Sequence, residues 1–429
     1  MRSVSIPEFI QAIGSGRVVN ALDLPHTDES APGSDFDEKI ALQEIAWRTT
    51  ERTRPSQQQW YLASSGSAYS DRHFDSDGLA TTVQVLRGMK IWILAYLKDE
   101  HGMAHINPFR NLQDGEIDPN FLELVPIVLR PGMTLSVLSF LFNCLPPHLL
   151  YSVMAPCTIH LVATTQPTFV WGRQFYAASS LRETCYGVFH CFTSGRKVTN
   201  VTHAEQAHDW LRVILHLVYY SLNSRLPQRA PLRSSIYRHL IPDRNTHEGV
   251  LDILHLCTVL FLGSAVFSEA YREDRPLPRK VCDNMMQGRQ LALLVGHRVI
   301  ASQRYWNDKR EAIENPLVDV FWTFIAEQVV SIHEALKDKT LEPEVSTTTA
   351  ARFKQKIQTL CGEHILFKRA YQKACAEPPA GRYGWRRAPM TISPALFSAG
   401  EPQQYIPPYP GHQGFSALEW YEGSSFTRS

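Results

Sequence analysis

The hydrophobic pattern of the chain changes near residue 200, and the two patterns predict two kinds of secondary structure. Between residues 58 and 200, short runs rich in aromatic and β-branched residues alternate with Gly, Pro, Asp and Asn, which is typical of a sheet of many short strands. Because no long helical segment separates these runs, the pattern favours a sandwich or jelly roll over a parallel sheet. The predicted strands are Gln58–Leu62, Thr81–Leu86, Lys90–Leu97, Leu124–Leu129, Thr158–Thr165 and Thr168–Tyr176.

Beyond Asn200, apolar residues recur every three or four positions, which predicts long amphipathic helices. The chain is therefore expected to have an α+β fold, with a β domain at 58–200 and a helical domain at 201–376. The predicted helical segments are His203–Leu222, Thr246–Tyr271, Cys282–Trp306, Asn315–Leu336 and Thr348–Ala376.

The two ends of the chain have their own patterns. Ser5, Pro7 and Glu8 match a capping box, so residues 1–57 are expected to form a short helix followed by a polar loop. Residues 377–429 carry eight prolines among Gly, Ser and Gln, which predicts a loosely ordered tail.

Composition and charge argue against several function classes. The 429 residues are 44% hydrophobic, and Lys+Arg 43 against Asp+Glu 42 gives a net charge of +1. The chain can bury a core but lacks the bulk positive charge of a protein that binds nucleic acid or an anionic membrane. Its most apolar window, at 253–267, is too short for a typical membrane span and contains His255.

The cysteines indicate an intracellular protein. None of the eight forms a Cys-x-x-Cys pair, which argues against zinc ribbons and thioredoxin-type motifs. Reduced thiols and an N-terminus without an apolar signal segment predict an intracellular location, with nucleus and cytoplasm both open.

One short segment, Ala68–Leu94, contains residue types suited to a metal centre. His73 and Asp75 are two residues apart, and on an extended strand such residues point to the same side. His160 opens a later predicted strand, and two His with one carboxylate form the ligand set of non-haem Fe(II) oxygenases. Taken alone, a His-x-Asp pair is weak evidence for a metal site and more often is a hydrogen-bonded or solvent-facing pair, because such a pair arises readily by chance in a chain with 17 histidines.

Two further residues suit a bound dicarboxylate. Lys90, in the segment GMKIW, is a cation on a predicted strand, and it could pair with a distal carboxylate as a point charge. Ser70, three residues before His73, offers a hydroxyl that could join it.

Five segments together resemble JmjC-domain proteins, the cupin-like branch of the Fe(II)/2-oxoglutarate oxygenases, and in particular those of fungi. They lie between about Tyr61 and Asn200, an interval of about a third of the chain, and read YSDRHFD, LRGMKIWIL, VLRPGMTL, MAPCTIHLV and WGRQFYAASSL.

This resemblance implies a double-stranded β-helix (cupin-like jelly roll) core and a dioxygenase activity. It implies that His73, Asp75 and His160 bind Fe(II), and that Lys90 and Ser70 contact the far carboxylate of 2-oxoglutarate. Ser70 stands where the family commonly has Thr, and it keeps the hydroxyl. The implied reaction is hydroxylation or N-demethylation of a protein, such as a histone, or of another macromolecule.

One segment departs from the family pattern. Family members commonly run from the PGMTL turn almost directly into the segment with the distal His, whereas here a largely apolar segment of eighteen residues, 136–153, separates PGMTL from MAPCTIHLV. The segment is either a real loop or untranslated sequence retained in the reading frame, and we favour the second because long apolar loops are unusual inside a compact domain. It contains His148, but His160 is preferred as the distal ligand because strand-like residues and WGRQFY follow it.

Two other function classes stay open. The domain could be an inactive JmjC-like binding module in a chromatin or other assembly, or its pocket could hold a metal other than iron. The complete residue set weighs against the first, and Lys90 weighs against the second because a dicarboxylate-binding lysine has no purpose without the co-substrate. The sequence leaves the substrate and the oligomeric state open.

Overall fold

The described residues form one antiparallel sheet followed by helices, which confirms the α+β class. The predicted insertion at 136–153 and the predicted tail at 377–429 lie outside the described residues. The computed structural model describes residues 6–25, 41–50, 59–97, 122–135, 154, 156, 158–193, 204–223, 241–243, 247–267, 278–301, 317–337 and 343–376.

Seven described strands form the sheet, and all paired strands are antiparallel. Their order is β1-β2-β7-β4-β5, while β3 also pairs with β7 and β6 also pairs with β4. The strands are β1 (Asn20–Pro25), β2 (Gln59–Ser64), β3 (Tyr69–His73), β4 (Ala80–Leu97), β5 (Leu122–Leu129), β6 (Thr134–Leu135) and β7 (Ile159–Phe175).

The long strands β4 and β7 each join two runs that the sequence pattern separates. Their register shifts between Val85 and Lys90. In this interval Gly88 has a φ of 85°, and a Cβ on it would lie 2.1 Å from the carbonyl oxygen of Pro167 in β7. The glycine and the proline therefore bend the two paired strands where the sequence pattern suggests that they end.

The bend divides the sheet into two halves that share one core. The first half contains β1, β2 and β6, the second contains β3 and β5, and β4 and β7 run through both. Side chains from the two halves pack into a single cluster, so the inner faces of the halves face each other. Its buried members are Val83, Val85, Trp92, Leu94, Leu129, Leu135, Met154, Val162 and Val170.

The chain leaves and rejoins the same edge of β4 on either side of residues 136–153. β6 ends at Leu135, which pairs with Val83. Met154 then pairs with Thr81 of the same strand through two backbone hydrogen bonds of 2.9 Å. The two flanks of the predicted insertion therefore continue one line of pairing along β4.

The described residues contain ten α-helices. Each predicted helical segment overlaps at least one of them, and Thr246–Tyr271 and Thr348–Ala376 each overlap two. The helices are α1 (Ile6–Gly14), α2 (Leu42–Thr50), α3 (Leu181–Thr193), α4 (Ala204–Leu222), α5 (His247–Phe261), α6 (Gly263–Val266), α7 (Arg279–Ala301), α8 (Leu317–Lys337), α9 (Pro343–Glu363) and α10 (Ile365–Ala376).

The helices surround a second and larger core, which includes residues of α3, a helix that the sequence pattern did not predict. None of the described helices combines the length and the apolar character that a membrane crossing requires. The largest fully buried side chains of this core are Tyr176, Phe189, Tyr219, Phe261, Phe267, Phe321, Phe324 and Phe353.

Helix α3 connects the helical core to the tight turn that follows Asp75. Asp77 and Gly78 in this turn both adopt left-handed backbone conformations, with φ of 57° and 68°. The Asp77 N–H donates to the Cys191 Sγ (3.2 Å), and the Thr184 hydroxyl donates to the Gly78 carbonyl (2.8 Å). The helical core therefore fixes the turn next to a predicted metal ligand.

We expect Gly78→Ala to lower the free energy of unfolding by more than about 3 kcal/mol, because it adds a clash to the roughly 1–2 kcal/mol of a left-handed alanine. A Cβ at Gly78 would lie 2.1 Å from the Thr184 carbonyl oxygen. Gly16→Ala is the matched control, since Gly16 has a φ of 73° and open space around it. Urea unfolding of both variants measures the difference, and equal losses would contradict the proposed contact with α3.

Candidate metal centre

The structure brings His73, Asp75 and His160 together. One potential ligand atom from each residue lies within 4.8 Å of the other two. His73 and Asp75 are half-buried and His160 is buried, so the group lies at the edge of the shared core of the sheet with one side open. This group could hold a metal ion.

A bulge in β3 places Ser70 and His73 on the same face. They are three residues apart, so a regular strand would direct them to opposite faces. Ser70 pairs with Val162 and His73 pairs with His160, which means that β3 uses three residues where β7 uses two. Because His160 and Val162 both face the core, the bulge turns both β3 residues toward it.

Each histidine is oriented by a backbone carbonyl two residues before it. Nδ1 of His73 lies 2.6 Å from the Asp71 oxygen, and Nδ1 of His160 lies 2.9 Å from the Thr158 oxygen. A carbonyl can only accept, so in each ring Nδ1 carries the hydrogen and Nε2 keeps a free lone pair. Such contacts are the usual way in which a metal-binding histidine is held.

Asp75 lies just beyond the end of β3, but its backbone is still extended (φ −68°, ψ 145°). The expectation from the i, i+2 spacing therefore holds although the strand has ended. The hydroxyl of Thr81 on β4 donates to Oδ2 of Asp75. In the part of the chain that the structure describes, Asp75 has no other hydrogen-bond partner, so Oδ1 is available to a metal ion.

The ring of His160 lies between aromatic neighbours. Trp92 stacks on it with ring centroids 5.1 Å apart and an interplanar angle of 19°, and the His73 ring lies 4.2 Å away. Burial, together with the neighbouring His73, lowers the pKa of His160 to about 4. At neutral pH His160 is therefore uncharged, which is the form that binds a metal ion.

Lys90 is a buried cation on the same inner face. It pairs with Thr164 on β7, two inward-facing positions from His160, and its side chain is 1% exposed. Burial lowers the pKa of Lys90 to about 8. Among the described residues no carboxylate pairs with it, and its one hydrogen bond is to the Ser64 hydroxyl (3.0 Å).

A chain of hydrogen bonds connects Lys90 to Ser70. Lys90 donates to Ser64, the Ser64 hydroxyl donates to Oδ1 of Asn20 (2.6 Å), and Nδ2 of Asn20 donates to the Ser70 hydroxyl (3.1 Å). Each hydroxyl therefore accepts from one neighbour, and the Ser70 hydrogen is left to donate to a further group. Lys90 and Ser70 do not touch, but they belong to one polar network.

Sequence reasoning missed three polar residues at this site. Asn20 lies in a segment that showed no strand pattern, and Ser64 and Thr81 are common residue types with no motif around them. Thr81 does carry a weak signal, because it stands in a predicted strand six residues after Asp75. Asn20 and Ser64 are recognisable only from the pairing of β1 with β2.

We expect Asp75→Ala to weaken Co(II) binding by on the order of 100-fold or more, because it removes one of three ligands. Asp71→Ala is the control, since it removes an exposed carboxylate from the neighbouring strand β3 and keeps the backbone carbonyl that holds His73. Calorimetric titration of the metal-free protein measures both affinities. Equal affinities in the two variants would exclude Asp75 as a ligand.

No known family model matches the chain, and no curated protein matches it significantly in sequence. Any functional assignment of this chain therefore depends on its own residues and their geometry. The features that carry it are the His73, Asp75 and His160 group and the buried Lys90.

Proposed function

We propose that the chain is an Fe(II)- and 2-oxoglutarate-dependent dioxygenase. The observation that carries this proposal is the combination of two histidines and one carboxylate with a buried lysine that has no carboxylate partner among the described residues. A metal centre alone does not require such a lysine. An anionic co-substrate that binds beside the metal accounts for both features.

We propose in addition that the sheet is a double-stranded β-helix. Two half-sheets that share one core and are joined by two bent, fully paired strands support this topology. In such a fold the inner faces enclose a pocket, and a jelly roll is a common scaffold for sites of this kind.

The donor set fits Fe(II). His73, Asp75 and His160 would hold the ion through two imidazole nitrogens and one carboxylate oxygen, which is the ligand triad of non-haem iron oxygenases. Three protein ligands leave positions for co-substrate and oxygen, whereas structural zinc sites usually have four protein ligands. Metals other than iron with the same preference for nitrogen and oxygen stay open to test.

Two buried hydrogen-bond donors on the inner face of β4 can each donate to a further acceptor. Lys90 has a neutral hydroxyl as its partner, and Nε1 of Trp92 is buried with no partner among the described residues. A buried charged group is stabilised when an opposite charge binds to it. Lys90 would bind the far carboxylate of 2-oxoglutarate, and Ser70 would donate its free hydrogen to the same group.

Bound iron and 2-oxoglutarate would supply an oxidation in which O₂ and 2-oxoglutarate become CO₂ and succinate while a substrate C–H bond becomes C–OH. The residues of the chain position these groups and exclude water. Trp92 and His160 close the buried side of the centre, and the carbonyls of Asp71 and Thr158 keep the imidazoles in the required tautomer.

The substrate of this activity is proposed to be a protein, such as a histone, or another macromolecule. His73 and Asp75 are partly exposed, so a large substrate can approach from their side. Hydroxylation of an N-methyl group would lead to demethylation. Buried cysteines that form no disulfide among the described residues, such as Cys185, Cys191 and Cys257, fit a reducing, intracellular location.

The proposal is tested by incubating the purified protein with Fe(II), ascorbate and labelled 2-oxoglutarate, with and without a panel of methylated and unmethylated histone peptides. We expect labelled succinate from the wild-type protein and none from Asp75→Ala. A protein that binds Fe(II) and 2-oxoglutarate but forms no succinate with any peptide would favour an inactive binding module. A protein that retains another metal and binds no 2-oxoglutarate would favour a different metal enzyme.

We expect Lys90→Met to raise the 2-oxoglutarate concentration needed for half-maximal binding roughly 10- to 100-fold, because a charge-assisted contact contributes about 1.5–3 kcal/mol. Co(II) affinity should stay unchanged, since Lys90 does not touch the three ligands. Lys354→Met, on the exposed face of α9, is the control. An equal loss of Co(II) and 2-oxoglutarate binding would give Lys90 a structural role instead.

A further inference from the structure

We propose that Thr81 is a positioning residue that fixes the Asp75 carboxylate for metal binding. This inference rests on the proposed metal centre and assigns a role to a residue that is not itself a ligand. The observation that supports it is the hydrogen bond from the Thr81 hydroxyl to Oδ2 of Asp75.

The three ligands differ in how they are held. His73 and His160 are oriented by carbonyls two residues away in their own segments. Asp75 has no such local contact, and its partner comes from β4, a different strand. A carboxylate has two equivalent oxygens and rotates freely, so without Thr81 it could present either oxygen, or both, to the ion.

Thr81 is suited to this role because it cannot move easily. It is 1% exposed, and its backbone pairs with Gln174 of β7 on one side and with Met154 on the other. A β-branched side chain on a strand also has few rotamers. The hydroxyl is therefore held in place by two neighbouring segments, and it holds Oδ2 so that Oδ1 is left to the metal.

The neighbouring Thr82 shows that a buried threonine on this strand does not need a hydrogen-bond partner for its hydroxyl. Thr82 is 2% exposed, and its hydroxyl has no hydrogen-bond partner among the described residues. Successive strand residues point to opposite faces, so Thr82 points away from Asp75. The same strand thus tolerates one buried threonine hydroxyl without a partner and directs the other to the carboxylate.

The test compares Thr81→Val, Thr82→Val and Thr81→Ser by titrating the metal-free protein with Co(II) and recording its visible absorption. Thr81→Val keeps the shape of the side chain and removes the hydroxyl, so we expect a 10- to 100-fold weaker Co(II) affinity and an altered spectrum, as is typical when a group that orients a ligand is lost. Thr82→Val should match the wild type in both. Thr81→Ser keeps the hydroxyl and should restore most of the affinity.

Three results would overturn the inference. Wild-type affinity and spectrum in Thr81→Val would show that the hydroxyl does not act on Asp75. Equal losses in Thr81→Ser and Thr81→Val would show that packing of the methyl group is what matters. Failure of the wild-type protein to bind Co(II) would reject the metal centre itself, and with it the proposed function. Thermal unfolding of the metal-free variants separates these results from a general loss of structure.

Discussion

The pairing of β4 with β7 is the interaction on which the rest of the structure depends. It extends from Ala80 opposite Phe175 to Ala95 opposite Ile159, with both strands bent together in the middle. Every strand that carries a candidate residue pairs directly with one of these two, except β1, which is connected through β2. A change in the β4–β7 register would therefore move the candidate metal ligands and the polar network relative to each other, because both are attached to the same two strands.

Irregularities in the strands are what allow residues at odd and even positions to meet on one face. On β4, Thr81, Val83 and Val85 are buried before the bend, and Lys90, Trp92 and Leu94 are buried after it, so the inward parity changes from odd to even. A regular strand would point Thr81 and Lys90 to opposite faces. The bulge in β3 has the same effect on Ser70 and His73. The site therefore requires the register shifts, which are structural features and not defects of the sheet.

The helical regions and the grouping of His73, Asp75 and His160 could be predicted from the sequence, whereas the register of the strands could not. Amphipathic periodicity is local, so each predicted helical segment overlaps a helix. Helix α3 was missed because nearly all its faces are buried and its pattern lacks a polar side. His73 and Asp75 follow from a two-residue spacing. The contact of Asn20 with Ser70 links residues fifty positions apart, and it depends on strand pairing that no local pattern encodes.

Lys90 connects the energetics of the fold to the proposed activity. Its pKa of about 8, against a normal value of 10.5, corresponds to about 3 kcal/mol against the charged form in the folded protein. Because Lys90 is a basic group with a lowered pKa, its burial lowers the stability of the folded protein by the full amount below about pH 8. This loss of stability decreases as the pH rises toward 10.5, where the unfolded chain also loses the proton.

The hydrogen bond from Lys90 to Ser64 offsets part of this loss of stability, but a hydroxyl has no charge to match the ammonium. A carboxylate bound beside Lys90 would have one, so binding of the proposed anionic co-substrate would stabilise the folded protein most strongly in the neutral range. The destabilising effect of the lysine and the proposed affinity for a dicarboxylate would then be two consequences of one buried charge.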